Sequence, residues 1–210
     1  MIIVPELQVV VITPPRTASS ALKNEICTRW AQAMPLYRHR ERDGIPPGYD
    51  RWPVVGLMRH PLRRLLSFYY YMRKIPRSPT TKEGALWIAD CANDTNRPFK
   101  NWLLESRHAF HTPWTHHPKY DMVRYTASTR RSLRDYYLPE QLDLTLFRME
   151  YDMQRVRRYF DIPLVVQQNT ASYDPVAEYN KYIMDAEVVA FLKEFHAYDL
   201  AFYPTEGIKV

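Results

Sequence analysis

Apolar residues follow two rhythms along this chain. Short β-branched runs, Val9-Val10-Val11-Ile12 and Val54 to Met58, have the length and residue types of strands buried on both faces of a parallel sheet, and Leu142 to Phe147 forms a third strand pattern. After each run the period changes to that of a helix. Ala21, Leu22, Ile26, Trp30 and Met34 follow the first run, Leu62, Leu65, Leu66, Tyr69 and Met72 the second, and Met153, Val156 and Phe160 the third. Strands alternating with helices predict an α/β fold.

The intervening stretches are less regular. Pro35 to Asp50 is polar and turn-rich, with a short strand expected near Leu36-Tyr37. A loop from Ile75 to Thr81 leads into a helix opened by the capping box Thr80-x-x-Glu83, and a second short helix after Pro98 uses Phe99, Trp102 and Leu103. Further on, M-V-R-Y predicts a short strand and Thr129 to Tyr137 a basic helix. The closing segment from Tyr182 to Tyr203 reads as one amphipathic helix.

Composition narrows the class. At 210 residues the chain fits one α/β domain with a full core, and five glycines argue against a glycine-punctuated barrel or propeller. Two cysteines, Cys27 and Cys91, are too few for a disulfide framework or a metal cluster. No window approaches the roughly 20 apolar residues of a membrane span, which predicts a soluble, cytoplasmic protein without a membrane partner. A formal charge of +6 suits a partner bearing phosphate or sulfate, but the arginines are spread along helices and form no dense tail, so nucleic acid is not indicated.

The candidate chemistry starts where the first strand ends. In Q-V-V-V-I-T-P-P-R-T-A-S-S-A-L, from Gln8 to Leu22, the strand should stop at Thr13, the prolines remove backbone donors, and Ser19 or Ser20 stands where a helix N-cap is expected. A loop delivered onto a helix N-terminus presents unpaired N–H groups and the positive end of the dipole, here with Arg16 and the hydroxyls of Thr17, Ser19 and Ser20. Such a loop can cradle a phosphate or sulfate, or can be an ordinary serine-capped helix start. It lacks the glycines and lysine of a Walker A loop. After the second strand, Arg59 leaves the sheet, Pro61 takes the first helical position, and Ser67 lies about two turns along, one turn from Arg63.

Acid and base candidates lie in connections. His39 and Glu41 follow the first helix, and His116 and His117 close a proline-interrupted aromatic loop that also holds His108 and His111. The four histidines of that loop lack companion cysteines or a metal-binding helix spacing, so no metal is predicted.

Two of these stretches together resemble a known family. P-R-T-A-S-S-A-L resembles the 5′-phosphosulfate loop of the sulfotransferases that use 3′-phosphoadenosine 5′-phosphosulfate, in which a proline and a basic residue precede small and hydroxyl residues. R-H-P-L-R-R-L-L-S-F-Y resembles their 3′-phosphate element, in the same order and at the same spacing. The resemblance implies that Arg16, Thr17, Ala18, Ser19 and Ser20 hold the 5′-phosphosulfate and that Arg59 and Ser67 hold the 3′-phosphate. Three positions depart from the usual pattern: Arg16 replaces lysine, Ala18 replaces glycine and His60 replaces Asp or Asn. Alanine permits close backbone approach if its φ is negative. Fainter likenesses cover the histidine loop as an acceptor-side segment, L-F-R-M-E-Y-D-M with its Glu150, the loop carrying Asn169 and Ser172, and the terminal helix.

These observations predict one domain over residues 1–210, with three layers, a mostly parallel sheet, a P-loop-like strand, loop and helix, and a helical insertion at about 74–120. The resemblance implies in-line transfer of a sulfuryl group to an acceptor hydroxyl of a small molecule or glycan, with Arg16 acting on the leaving phosphate and one of His39, Glu41, His116 or His117 as the base. No metal is needed by that scheme. Two other readings stand beside it: a non-catalytic basic module that binds nucleic acid or a sulfated glycan, and a nucleotide or sugar kinase.

Overall fold

The computed structural model describes residues 1–36, 41–74, 96–105, 123–138, 143–163 and 173–203, together with strand 109–114; for 109–114 and 123–128 it describes the backbone path alone. The expected helix after Thr80, the loop with Asn169 and Ser172, and most of the insertion lie outside the described residues. Contacts divide the chain into two compact units, Met1–Arg59 with Trp114–Val123 and Leu133–Asn169, and His60–Pro113 with Arg124–Ser132 and Thr170–Val210. The protein is α/β, with seven α-helices and a five-stranded mixed sheet among the described residues.

The first unit holds that sheet. Strands β1 (Ile2–Val4), β2 (Val9–Ile12), β3 (Met34–Pro35), β4 (Val54–Met58) and β7 (Leu144–Arg148) lie in the order β3-β1-β2-β4-β7. The predicted β2 and β4 have the expected bounds, and β7 is shifted by a residue or two. β2, β4 and β7 are mutually parallel, while β1 runs against both β2 and β3. Strand β1 was not anticipated from the pattern, although M-I-I-V before P-E-L is a short apolar run ending at a proline turn.

Alternation along the strands sends Val9, Val11, Val55, Leu57 and Phe147 to one face. There they form one core with Leu22 and Ile26 of α1 (Ser19–Arg29) and with Val156 and Phe160 of a later helix, Met153–Phe160. On the opposite face Gly56 leaves room for Tyr137, whose hydroxyl donates to the Leu57 carbonyl (2.7 Å); a Cβ at position 56 would come within 2.1 Å of that ring.

Helix α1 is shorter than its periodicity implied. It ends at Arg29, with Trp30 extended at the C-cap and its indole N–H bonded to the Phe160 carbonyl (2.9 Å). Met34, expected on the helix, instead pairs with Ile3 in β3, because Pro35 disfavours helical geometry in the residue before it.

The second unit is mainly helical. α2 (Pro61–Lys74) starts at the predicted proline and buries Leu62, Leu65, Leu66, Tyr69 and Met72. α3 (Phe99–Glu105), the predicted short helix, adds Phe99, Trp102 and Leu103 to the same core. Residues 109–114, expected as loop, form β5 (Ala109–Trp114), which pairs with β6 (Val123–Ser128).

The basic helix expected from Thr129 shrinks to α4 (Arg134–Tyr137). Thr129 and Ser132 are instead committed to bonds with the last helix, described below. Helix α5 (Met153–Phe160) belongs to the first unit. The closing helix expected over 182–203 is α7 (Ala186–Leu200), and a further helix that was not expected, α6 (Pro175–Ile183), precedes it; Asp185 and Asp174 cap their starts. Asp174 followed by Pro175 was a readable signal for α6.

Candidate functional site

Three parallel strands deliver their carboxyl ends to one edge of the sheet. Ile12 of β2 lies opposite Gly56 of β4, and Met58 at the end of β4 lies opposite Arg148 at the end of β7. The residues just beyond, Thr13 to Ala18, Arg59 and Glu150, therefore emerge along a common edge, which is where ligands bind in open α/β sheets.

The first exit is a tight turn with two left-handed residues, Arg16 (φ 65°) and Ala18 (φ 56°, ψ 21°). Left-handed geometry costs an L-residue roughly 1–2 kcal/mol. The condition of a negative φ at Ala18 is therefore not met, and the expected serine cap is not formed. Ala18 itself is the N-cap and has no side-chain oxygen to offer, while Ser19 and Ser20 are the first two helical residues.

This has a chemical consequence. The first four N–H groups of a helix have no intrahelical acceptor, and a left-handed residue followed by right-handed ones turns successive N–H groups toward one concavity suited to an anion. α1 supplies eleven residues of aligned dipole behind it. Thr17 is buried, and its hydroxyl donates to the Pro14 carbonyl (2.8 Å), so that side chain staples the turn from inside. Arg16 and Ala18 are half-buried, as is Ser19, and Ser20 is exposed.

Arg59 closes the turn from the neighbouring strand. Its Nη1 donates to the Arg16 carbonyl (2.9 Å), and its Nε stands 3.9 Å from Glu150 Oε1, with the two side chains only 20% and 17% exposed. The Glu150 turn is itself fixed by Asp152, which accepts from the Arg148 backbone (2.9 Å) and side chain (3.0 Å). Burial would raise the Asp152 carboxyl, but the Arg148 bonds outweigh it and hold it below the ordinary carboxylate range. Neither the Arg59 link to the Arg16 carbonyl nor its approach to Glu150 was anticipated, since they join residues 43 and 91 positions apart.

Ser67 belongs to the second unit, on α2, and is 7% exposed. One turn earlier the Arg63 guanidinium lies 4.1 Å over the Tyr179 ring, and Arg64 donates to the Arg131 carbonyl. His60 is fully buried, edge-on to Tyr179 (5.2 Å) and Tyr203 (5.3 Å). A carboxylate among these rings would be costly to bury, whereas an imidazole packs as an aromatic.

Of the acid and base candidates, Glu41 is nearly buried, and its carbonyl accepts from Gly44 N–H (3.1 Å) in a single 3-10 turn. His39, His116 and His117 lie outside the described residues. Among the described residues no group of three His, Cys, Asp or Glu is arranged to hold a metal, and no helix is long and apolar enough to cross a membrane. Comparison of the chain with protein-family models, curated proteins and solved structures gave no match.

The left-handed Ala18 is open to a direct check. Ala18→Gly removes the Cβ penalty but adds unfolded-chain entropy, leaving a net stabilisation of about 0.5–1 kcal/mol. The urea midpoint should rise with an unchanged m-value. A lower midpoint would mean that Ala18 is not left-handed in the folded protein.

Proposed function

We propose that the protein is a sulfotransferase that moves a sulfuryl group from 3′-phosphoadenosine 5′-phosphosulfate to an acceptor hydroxyl of a small molecule or glycan, with the β2–α1 turn as a P-loop-like cradle for the 5′-phosphosulfate. One observation supports this most: a left-handed residue, the conformation natural to the glycine of the resembled loop, stands in P-R-T-A-S-S between a buried parallel strand and a helix N-terminus. An ordinary serine-capped helix start has no reason to adopt it, since a serine cap takes extended geometry.

The resemblance implies a nucleotide bearing two anionic ends. Arg16, the N–H groups of the turn and the hydroxyls of Ser19 and Ser20 would hold the phosphosulfate, while Arg59 and Ser67 are the residues that the resemblance assigns to the 3′-phosphate. The bound nucleotide supplies the sulfuryl group. Arg16 and the turn's N–H groups oppose the charge that gathers on the departing phosphate, the kind of preorganised stabilisation that dominates group transfer to oxygen. Glu41, His39, His116 and His117 are the candidates for taking the acceptor's proton.

Adenosine 3′,5′-bisphosphate tests the reading without knowledge of the acceptor. At 100 times its dissociation constant a one-site ligand stabilises by about 2.7 kcal/mol, which corresponds to a rise of roughly 5–10 °C in Tm for a chain of this size. No shift at millimolar nucleotide ends the proposal. Binding that ignores the bisphosphate but collapses steeply with salt favours the basic polyanion-binding module instead.

A further inference from the structure

The resemblance makes Arg59 a reader of the 3′-phosphate, but its bond in this structure goes to the turn itself. We infer that Arg59 is a positioning residue for the 5′ cradle, holding the β2–α1 turn in its anion-binding conformation. Its Nη1 takes the Arg16 carbonyl at 2.9 Å, and that carbonyl belongs to the peptide that follows one left-handed residue, Arg16, and leads through Thr17 to the other, Ala18. A turn built from two disfavoured conformers keeps its shape only if its surroundings hold it. Two bonds do so here: the Thr17 hydroxyl on the Pro14 carbonyl from within, and Arg59 from the neighbouring strand.

Glu150, with Oε1 3.9 Å from Arg59 Nε, adds an opposite charge on the far side of the guanidinium and keeps the side chain directed along the sheet edge. The bond to the turn is charge-assisted, the stronger class of hydrogen bond. Without it the turn shares its population with less strained forms. Any anion that needs the left-handed form is then bound more weakly in proportion to the fraction lost. The loss falls on the 5′ end of a nucleotide, whatever its 3′ end carries.

The ligand part of the test rests on the proposed function, whereas the exchange part does not. Affinities of adenosine 3′,5′-bisphosphate and of adenosine 5′-phosphosulfate, which lacks the 3′-phosphate, are measured for wild type, Arg59→Ala, Arg59→Lys and the double variant Arg59→Ala/Ala18→Gly. In parallel, NMR hydrogen exchange follows the Leu22 amide, which donates to the Ala18 carbonyl (3.0 Å).

Arg59→Ala should weaken both nucleotides by the same factor, about tenfold, and speed Leu22 exchange about as much while leaving Ile26 in mid-helix unaltered. Arg59→Lys, which keeps a cationic donor, should lie nearer wild type. Adding Ala18→Gly should recover part of the lost affinity, because glycine occupies the left-handed form at little cost. A loss confined to adenosine 3′,5′-bisphosphate, with Leu22 exchange unchanged, overturns the inference and returns Arg59 to the 3′-phosphate. If wild type binds neither nucleotide while Leu22 exchange still rises in Arg59→Ala, the bracing role stands and the sulfotransferase proposal falls.

Discussion

On the proposed sulfotransferase reading, Arg16→Ala should lower turnover by about 10²–10³ with a smaller change in nucleotide affinity, the usual consequence of removing a donor aimed at charge that develops in the transition state. Arg16 is half-buried on the strained turn, one residue before the stapling Thr17 and two before the helix N-cap, so its backbone is held at the mouth of the turn. Alanine is the informative replacement. Glycine would also release the left-handed strain at φ 65° and mix a backbone effect with the loss of charge. Release of adenosine 3′,5′-bisphosphate from the sulfuryl donor, followed across a panel of hydroxyl acceptors, gives kcat and KM separately. Arg16→Lys should keep much of the rate, since it keeps the charge although not the planar fork. A change in KM alone would show that Arg16 contacts the ground state only.

How far such a site can be read from a sequence depends on the range over which its causes act. The strands Val9–Ile12 and Val54–Met58 were legible because a buried parallel strand must be apolar on both faces, and Pro61 marked the start of α2 because proline there costs no hydrogen bond. The position of the turn was legible for the same local reason. Its conformation was not: nothing in T-P-P-R-T-A-S-S states that two non-glycine residues adopt positive φ, since that follows from how β2 and α1 meet and from the Arg59 bond across the sheet.

The errors have a common cause. Met34 and Thr129 to Leu133 were assigned to helices by spacing, and in both places tertiary pairing won. For Met34 it was a strand ladder with Ile3, and for 129–133 it was a set of bonds to residues 67 positions away. Helix propensities differ by only a few tenths of a kcal/mol per residue, less than one buried hydrogen bond contributes. The closing helix was expected to run from Tyr182 because periodicity continues across Met184-Asp185, whereas the aspartate that accepts from Glu187 N–H (3.1 Å) and Val188 N–H (3.2 Å) marks a new N-terminus.

Those long-range bonds carry the largest expected effect on stability. Asp199, His196 and Thr129 are fully buried and Ser132 nearly so. Ser132 Oγ donates to Asp199 Oδ1 (2.7 Å), His196 Nε2 lies 2.7 Å from the Thr129 carbonyl and His196 Nδ1 lies 3.4 Å from Asp199 Oδ2. A carbonyl can only accept, so Nε2 carries a hydrogen, and the bond draws α7 out of helical geometry at His196 (φ −132°, ψ 24°). These bonds fasten the 129–132 turn to the last helix.

Asp199→Ala removes the acceptor of the Ser132 hydroxyl and the carboxylate beside His196 Nδ1 in a buried site, and should cost about 3–5 kcal/mol. Asp199→Asn should cost less, because its side-chain carbonyl still accepts from Ser132 and only the longer contact with His196 Nδ1 is altered. Urea midpoints at constant m-value decide the matter. If Asn is as damaging as Ala, the aspartate's charge and not its hydrogen bonding holds the turn; if Ala costs under 1 kcal/mol, the network does not secure the fold and the departure of 129–133 from helix needs another cause.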